Sequence, residues 1–254
     1  MSVRVAKSAG FCFGVSRAVE LVQSSAAAGK RTVTLGPIIH NRHVVKAFTE
    51  AGVGVIDSPE EANPGDTVII RSHGVGREVY RRLEERGAEI VDATCPFVKR
   101  IHGLVSQAEE EGRLPIIIGT PTHPEVEGIA GWCGHCKVFD SAEALKKWVQ
   151  DEQIDADLPI CMVCQTTSTE SLWKICRNFA KKQFTNLKIF DTICKATEDR
   201  QTEAARLSRE CQAMVVVGDA KSSNTGRLAM ICREYCDRVA LVDDASELEP
   251  AFFA

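Results

Sequence analysis

The chain has 254 residues, 44% apolar and 26% charged, and its 31 basic and 35 acidic side chains leave a formal net charge of -4. That size and apolar fraction support one large or two to three small cores and exclude a disordered chain. No basic tract offers nucleic acid a phosphate-neutralising surface, no run of about 18 apolar residues spans a membrane, and the N-terminus lacks a signal peptide's apolar core, so a cytoplasmic address is expected.

Residues 1–10 alternate apolar and polar side chains and predict a first strand leading to Cys12. A helical stretch follows, then the run Val33-Thr34-Leu35-Gly36, a strand ending in Val55-Ile56-Asp57, the helix-start pattern Ser58-Pro59-Glu60-Glu61 and a fourth strand, Thr67 to His73. A further helix and the strand from Ala88 lead to Cys95. The same order then returns. Ile116-Ile117-Ile118-Gly119, a strand ending in Val138-Phe139-Asp140, the start Ser141-Ala142-Glu143-Ala144, a strand from Pro159 to Thr166 and the segment from Leu187 lead to Cys194. A third round brings Val215-Val216-Val217-Gly218, Leu241-Val242-Asp243 and Asp244-Ala245-Ser246-Glu247, and then the chain ends.

Cys12 and Gly36, Cys95 and Gly119, and Cys194 and Gly218 are each 24 positions apart. Chance does not give that spacing three times, and it marks an internal repeat. Strand and helix alternate in every copy, so the expected fold class is α/β: three small parallel units related by a pseudo-three-fold axis around a central pocket. Their expected bounds are 11–95, 96–193 and 194–254, the last incomplete and completed in part by the strand in 1–10.

Ligands bind beyond the carboxyl ends of parallel strands. Cys12, Cys95 and Cys194 fall there, each before a helix start where the backbone dipole favours thiolate. One such cysteine alone reads as a small buried hydrophobe. Three at equivalent positions converge, and three thiolates suit a soft metal or an iron-sulfur cluster; a four-iron cubane on them keeps one iron open as a Lewis acid. His40, His123 and Ser222 lie four residues after the three glycines, opening sets that include Ser223 and Asn224, and His73 ends a fourth strand. These are neutral or switchable donors suited to phosphate. Glu125 is placed to donate a proton if burial raises its pKa, and Thr166 and Thr167 to orient it. Cys133/Cys136 and Cys161/Cys164 form two CxxC pairs, but the second lies in an apolar strand where residues three apart face opposite ways, against a shared zinc ion. Cys176, Cys211, Cys232 and Cys236 read as packing residues.

Seven segments from Gly10 to Asn224 carry a resemblance: GFCFGV at 10–15, HNRHVV at 40–45, SHGV at 72–75, DATCP at 92–96, GTPTHPEVEG at 119–128, QTT at 165–167 and SSN at 222–224. In that order they resemble the 4-hydroxy-3-methylbut-2-enyl diphosphate reductase family of the non-mevalonate isoprenoid pathway. The resemblance implies a [4Fe-4S] cluster on Cys12, Cys95 and Cys194. It also implies a diphosphate held by His40, His73, His123, Ser222, Ser223 and Asn224, Glu125 as proton donor and Thr166 at the substrate. Reductive dehydroxylation to isopentenyl and dimethylallyl diphosphates follows, with electrons from ferredoxin or flavodoxin. The family's third copy has a further strand and a serine-bearing turn that this sequence does not reach, so a truncated chain is expected. A three-cysteine hydro-lyase of quinolinate-synthase type and a zinc-binding or redox-sensing module on the CxxC pairs are the rival readings.

Overall fold

The computed structural model describes residues 2–253, and its strands form three parallel sheets. In the first, β1 (Thr32–Leu35), β2 (Gly54–Ile56), β3 (Thr67–Ile70) and β4 (Glu89–Asp92) take the order β2-β1-β3-β4. The second repeats it as β6-β5-β7-β8, from β5 (Leu114–Ile118), β6 (Lys137–Phe139), β7 (Ile160–Cys164) and β8 (Leu187–Ile189). The third reproduces only the first pair, β9 (Met214–Val217) with β10 (Val239–Val242). Parallel strands buried on both faces need uninterrupted apolar runs. Ile116 and Ile118 accordingly enter one apolar cluster and Ile117 the other, all three fully buried.

The helices are α1 (Phe13–Ala27), α2 (Arg42–Glu50), α3 (Arg77–Glu85), α4 (Pro96–Glu110), α5 (Pro124–Ala130), α6 (Ala142–Asp151), α7 (Glu170–Gln183), α8 (Lys195–Glu210) and α9 (Ser223–Arg233). The backbone N–H groups of Gly36, Gly119 and Gly218 donate to the carbonyls of Ile56, Phe139 and Val242 at 2.8, 2.9 and 2.8 Å. The repeated glycine thus closes the same strand-to-strand step in each sheet. Of the three helix-start patterns only the second grows into a helix, α6. The other two remain single 3-10 turns, Pro59–Glu61 and Ala245–Glu247. In the first, the Glu61 side chain closes back on the Ser58 N–H, and the chain enters β3 a few residues later.

The strand expected over 1–10 is a correction: residues 2–10 form none, and Met1 lies outside the described residues. β4 pairs with β3 and β8 with β7, but no described strand in the third sheet corresponds to β3 or β7. A ladder needs a partner, so the segment is held by side chains instead. Glu203 accepts from the backbone N–H groups of Lys7 and Ser8 at 3.0 and 2.8 Å, Arg200 donates to the carbonyls of Ser8 and Gly10, and Val3 and Val5 stay 84% and 80% exposed.

The first and second units meet backbone to backbone. A Cβ on Gly131 would lie 2.5 Å from the Gly76 Cα, the Arg77 N–H donates to the Gly131 carbonyl at 3.1 Å, and Trp132 Nε1 donates to the Val75 carbonyl at 2.8 Å. Trp132 also stacks on His102 with ring centroids 5.1 Å apart. His102 is buried with neither ring nitrogen partnered. Burial lowers its pKa to about 4, Asp92 and Lys99 pulling in opposite directions. Below its ordinary value of 6.5 the unfolded chain binds a proton that the folded one refuses, so this contribution to stability is complete above pH 6.5 and is lost as pH falls towards 4. By pH 5 the loss is about 2 kcal/mol. Urea titrations at pH 7.5 and 5 are expected to show a smaller loss for His102→Phe than for the parent; equal losses would discard this account.

Candidate active site

Cys12, Cys95 and Cys194 are the N-caps of α1, α4 and α8, so one thiol stands at each helix start. Cys12 and Cys194 both lie near enough to Cys95 to act on its charge. A Cβ on Gly14 would lie 2.7 Å from Cys95 Sγ, so the first turn of α1 must carry glycine for two of the cysteines to share one place. Cys194 Sγ accepts from the Thr197 N–H at 3.4 Å and lies 3.0 Å from Thr197 Oγ1. The helix dipole alone does not make Cys95 a thiolate. Burial pushes its pKa up, and charge on Cys12 and Cys194 adds to the rise, outweighing the N–H groups of Phe97 and Val98 that favour ionisation. A bound cationic metal would reverse that balance. Three half-buried thiols converging beside a glycine form a donor set and a cradle that fit an iron-sulfur cluster.

The strand-end loops that carry the polar side chains also hold two of the cysteines. The Cys95 N–H donates to the Ser72 carbonyl at 2.9 Å and the Cys194 N–H to the Thr166 carbonyl at 3.1 Å. Next to Ser72, His73 meets His40 and His123, with ring centroids 4.7 Å (His40–His73), 5.5 Å (His73–His123) and 6.2 Å (His40–His123) apart. Nε2 of His40 and Nδ1 of His73 have no partner. Burial depresses all three imidazoles, His123 to about 4, so they are neutral donors at pH 7. One nitrogen of each ring lies within 4.8 Å of one from the other two, a spacing open to a metal ion. The His123 tautomer favours an anion instead. Its Nδ1 accepts from the Glu125 N–H at 3.1 Å, so its Nε2 carries the hydrogen and donates.

Two cations here escaped the sequence reading. Arg71 and Arg227 are both buried enough that desolvation lowers their pKa; both lower that of His123, and Arg71 acts on His40 and His73 as well. Arg71 Nε is unpartnered, and Arg227 Nε donates to Ser223 Oγ at 3.2 Å. Position carried a signal for each: Arg71 immediately precedes Ser72-His73, and Arg227 is one helical turn beyond Ser223.

From the third unit, Ser223 Oγ meets Thr167 Oγ1 at 3.0 Å, and Asn224 Oδ1 is buried without a partner. Ser222 Oγ accepts from the Thr225 N–H and so caps α9. Glu125 is 2% exposed, with both carboxyl oxygens on Thr166: Oε1 accepts from the N–H at 2.6 Å and Oε2 meets Oγ1 at 2.7 Å. Desolvation raises the Glu125 pKa against those two hydrogen bonds and Arg227. Cys161 and Cys164 enter apolar clusters on opposite faces of the second sheet, as expected for β7.

Thiols at three helix starts, with neutral imidazoles, buried guanidinium groups and a buried carboxyl gathered on the neighbouring strand-end loops, define a cysteine-anchored α/β enzyme for an anionic substrate. The chain belongs to the LytB protein family, which it matches over residues 3–254. It is 40% identical over 253 residues to the 4-hydroxy-3-methylbut-2-enyl diphosphate reductase of Thermoanaerobacter sp. (strain X514), covering 98% of this chain and 86% of that protein. It is 40% identical over 259 residues to the enzyme of the same name from Pelobacter propionicus, covering 100% and 88%. A solved structure of (E)-4-hydroxy-3-methyl-but-2-enyl diphosphate reductase, the terminal enzyme of the non-mevalonate pathway, superposes with a TM-score of 0.72 at 36% identity over 99% of this chain and 89% of that one. The Plasmodium falciparum E-1-hydroxy-2-methyl-but-2-enyl-4-diphosphate reductase superposes with a TM-score of 0.90 at 25% identity over 96% and 77%.

Proposed function

We infer that this chain carries out the reaction for which its relatives are named, reducing 4-hydroxy-3-methylbut-2-enyl diphosphate with loss of its hydroxyl as water. The carrying observation is the neutral three-histidine wall joined, through Ser72 and Thr166, to Cys95 and Cys194, two of the three helix-start cysteines. Two electrons and two protons balance the step and give isopentenyl and dimethylallyl diphosphates. Cys12, Cys95 and Cys194 would hold one [4Fe-4S] cluster, which when bound would supply the electrons and, at an iron the protein leaves open, a Lewis acid for the hydroxyl.

The chain's own groups do the rest. His40, His73, His123, Ser222, Ser223 and Asn224 hold the diphosphate, and Arg71 and Arg227 supply the fixed positive charge that it needs. Both Glu125 oxygens rest on Thr166, so the proton leaves Glu125 through the Thr166 hydroxyl. That hydroxyl belongs to the residue whose carbonyl anchors Cys194. Ferredoxin or flavodoxin is the electron source, and eleven unpaired cysteines suit the reducing cytoplasm.

Anaerobic purification with iron, sulfide and zinc analysis, followed by turnover with a reduced donor, tests this reading: zinc without iron, or iron without turnover, overturns it. Arg71→Leu is expected to raise the KM for the diphosphate substrate about 10- to 100-fold through loss of a charged hydrogen bond, with kcat changed far less. Steady-state kinetics of the iron-loaded variant reads that split.

A further inference from the structure

We propose that Cys133 and Cys136 form a dithiol/disulfide site, separate from the three cysteines of the active site, that exchanges electrons with small aliphatic disulfides of the oxidised-glutathione class. The proposed reaction leaves this CxxC pair unused. The pair sits in the turn between α5 and β6, half-buried, with Gly134 and His135 between its members exposed. CxxC spacing keeps both thiols in one short turn, where they pack against the same apolar cluster and each acts on the other's ionisation.

Their environments divide the work. Cys133 Sγ donates to the Ala130 carbonyl at 3.6 Å, at the carboxyl end of α5 where the helix dipole opposes negative charge, and it keeps its proton. Beside that protonated thiol, Cys136 has its pKa lowered to about 7 by its neighbour Cys133. Cys136 is therefore the attacking thiolate and Cys133 the resolving thiol. Among the described residues the only grouping of His, Cys, Asp or Glu with metal-ligand spacing is His40, His73 and His123. The pair thus lacks the further ligands that a zinc site requires. Cys161, in the same apolar cluster, is fully buried and out of solvent reach.

The exchange balances. Cys136 thiolate attacks one sulfur of the small disulfide, whose S–S bond breaks and releases a thiolate. Cys133 then gives up its proton and attacks the Cys136 sulfur of the mixed disulfide, expelling the second thiolate. Two electrons pass from the pair to the small disulfide, and the two released thiolates end as thiols. The new ring closes directly behind Trp132, whose indole N–H holds the Val75 carbonyl, two residues after His73. Oxidation is therefore reported by this tryptophan.

Trypsin isolates the site, because Leu114 to Lys137 contains no internal Lys or Arg and only these two cysteines. Iron-loaded protein is held anaerobically in a series of reduced-to-oxidised glutathione ratios, quenched in acid, alkylated with N-ethylmaleimide and digested. The peptide is expected to carry two alkyl groups in reducing buffers and, across a single two-electron transition, to become unalkylated and two hydrogens lighter. Trp fluorescence should follow the same midpoint, with iron content unchanged. In Cys133→Ser the mixed disulfide should persist on Cys136, and in Cys136→Ser the Trp signal should stay flat, iron content reporting that each variant is folded. Two alkyl groups at every ratio, or a transition that appears only after iron is lost, overturns the proposal.

Discussion

Glu125→Gln is expected to lower kcat by roughly 10²- to 10⁴-fold, the range over which a positioned general acid contributes. The amide keeps the volume of the carboxyl, and its oxygen can still accept from the Thr166 N–H that now bonds Oε1 at 2.6 Å. Geometry is retained while the transferable proton is not. The KM, iron content and thermal unfolding of the variant should stay close to those of the parent. Burial raises the Glu125 pKa, so the parent's kcat should fall on the alkaline side as this group ionises, and the variant's residual rate should lose that limb. Undiminished turnover would take Glu125 out of the proton path.

Gly14→Ala is expected to strip most of the iron and, with it, the activity, while secondary structure measured by circular dichroism is kept. The added Cβ falls 2.7 Å from Cys95 Sγ and 3.2 Å from Cys95 Cβ, below ordinary van der Waals separation, so the sulfur must move. Metal-thiolate bonds tolerate about 0.2 Å of displacement, and a shifted Cys95 leaves two cysteines where three are needed. Alanine is otherwise the better helix former by about 1 kcal/mol. A variant with full iron and sulfide per chain would show that Cys95 does not act from this position.

The repeat made much of the site legible in the sequence. Equal spacing from Cys12, Cys95 and Cys194 to their glycines located three strand ends, and the polar residues four positions beyond those glycines included two of the three histidines that meet. What the repeat did not carry was anything particular to one copy. Arg71 and Arg227 have no equivalent in the spacing, and their burial is a property of packing between elements. The strand expected over 1–10 failed for a related reason: alternation marks a segment able to form a strand, but pairing requires a neighbour.

The sequence by itself therefore determined the α/β class and the equivalent positions of Cys12, Cys95 and Cys194, because these are written in local periodicity and in spacing along the chain, while Glu125 and Thr166 stood out through the segments that carry the family resemblance. Tertiary structure alone decided the rest. It placed both oxygens of Glu125 on Thr166, made Gly14 a condition for Cys95, fixed the His123 tautomer through the Glu125 N–H, and set Cys133 against a helix carbonyl beside Cys136. Those relations depend on burial and on contacts between residues far apart in the chain, where desolvation outweighs the helix dipole at Cys95 and turns the buried imidazoles into neutral donors.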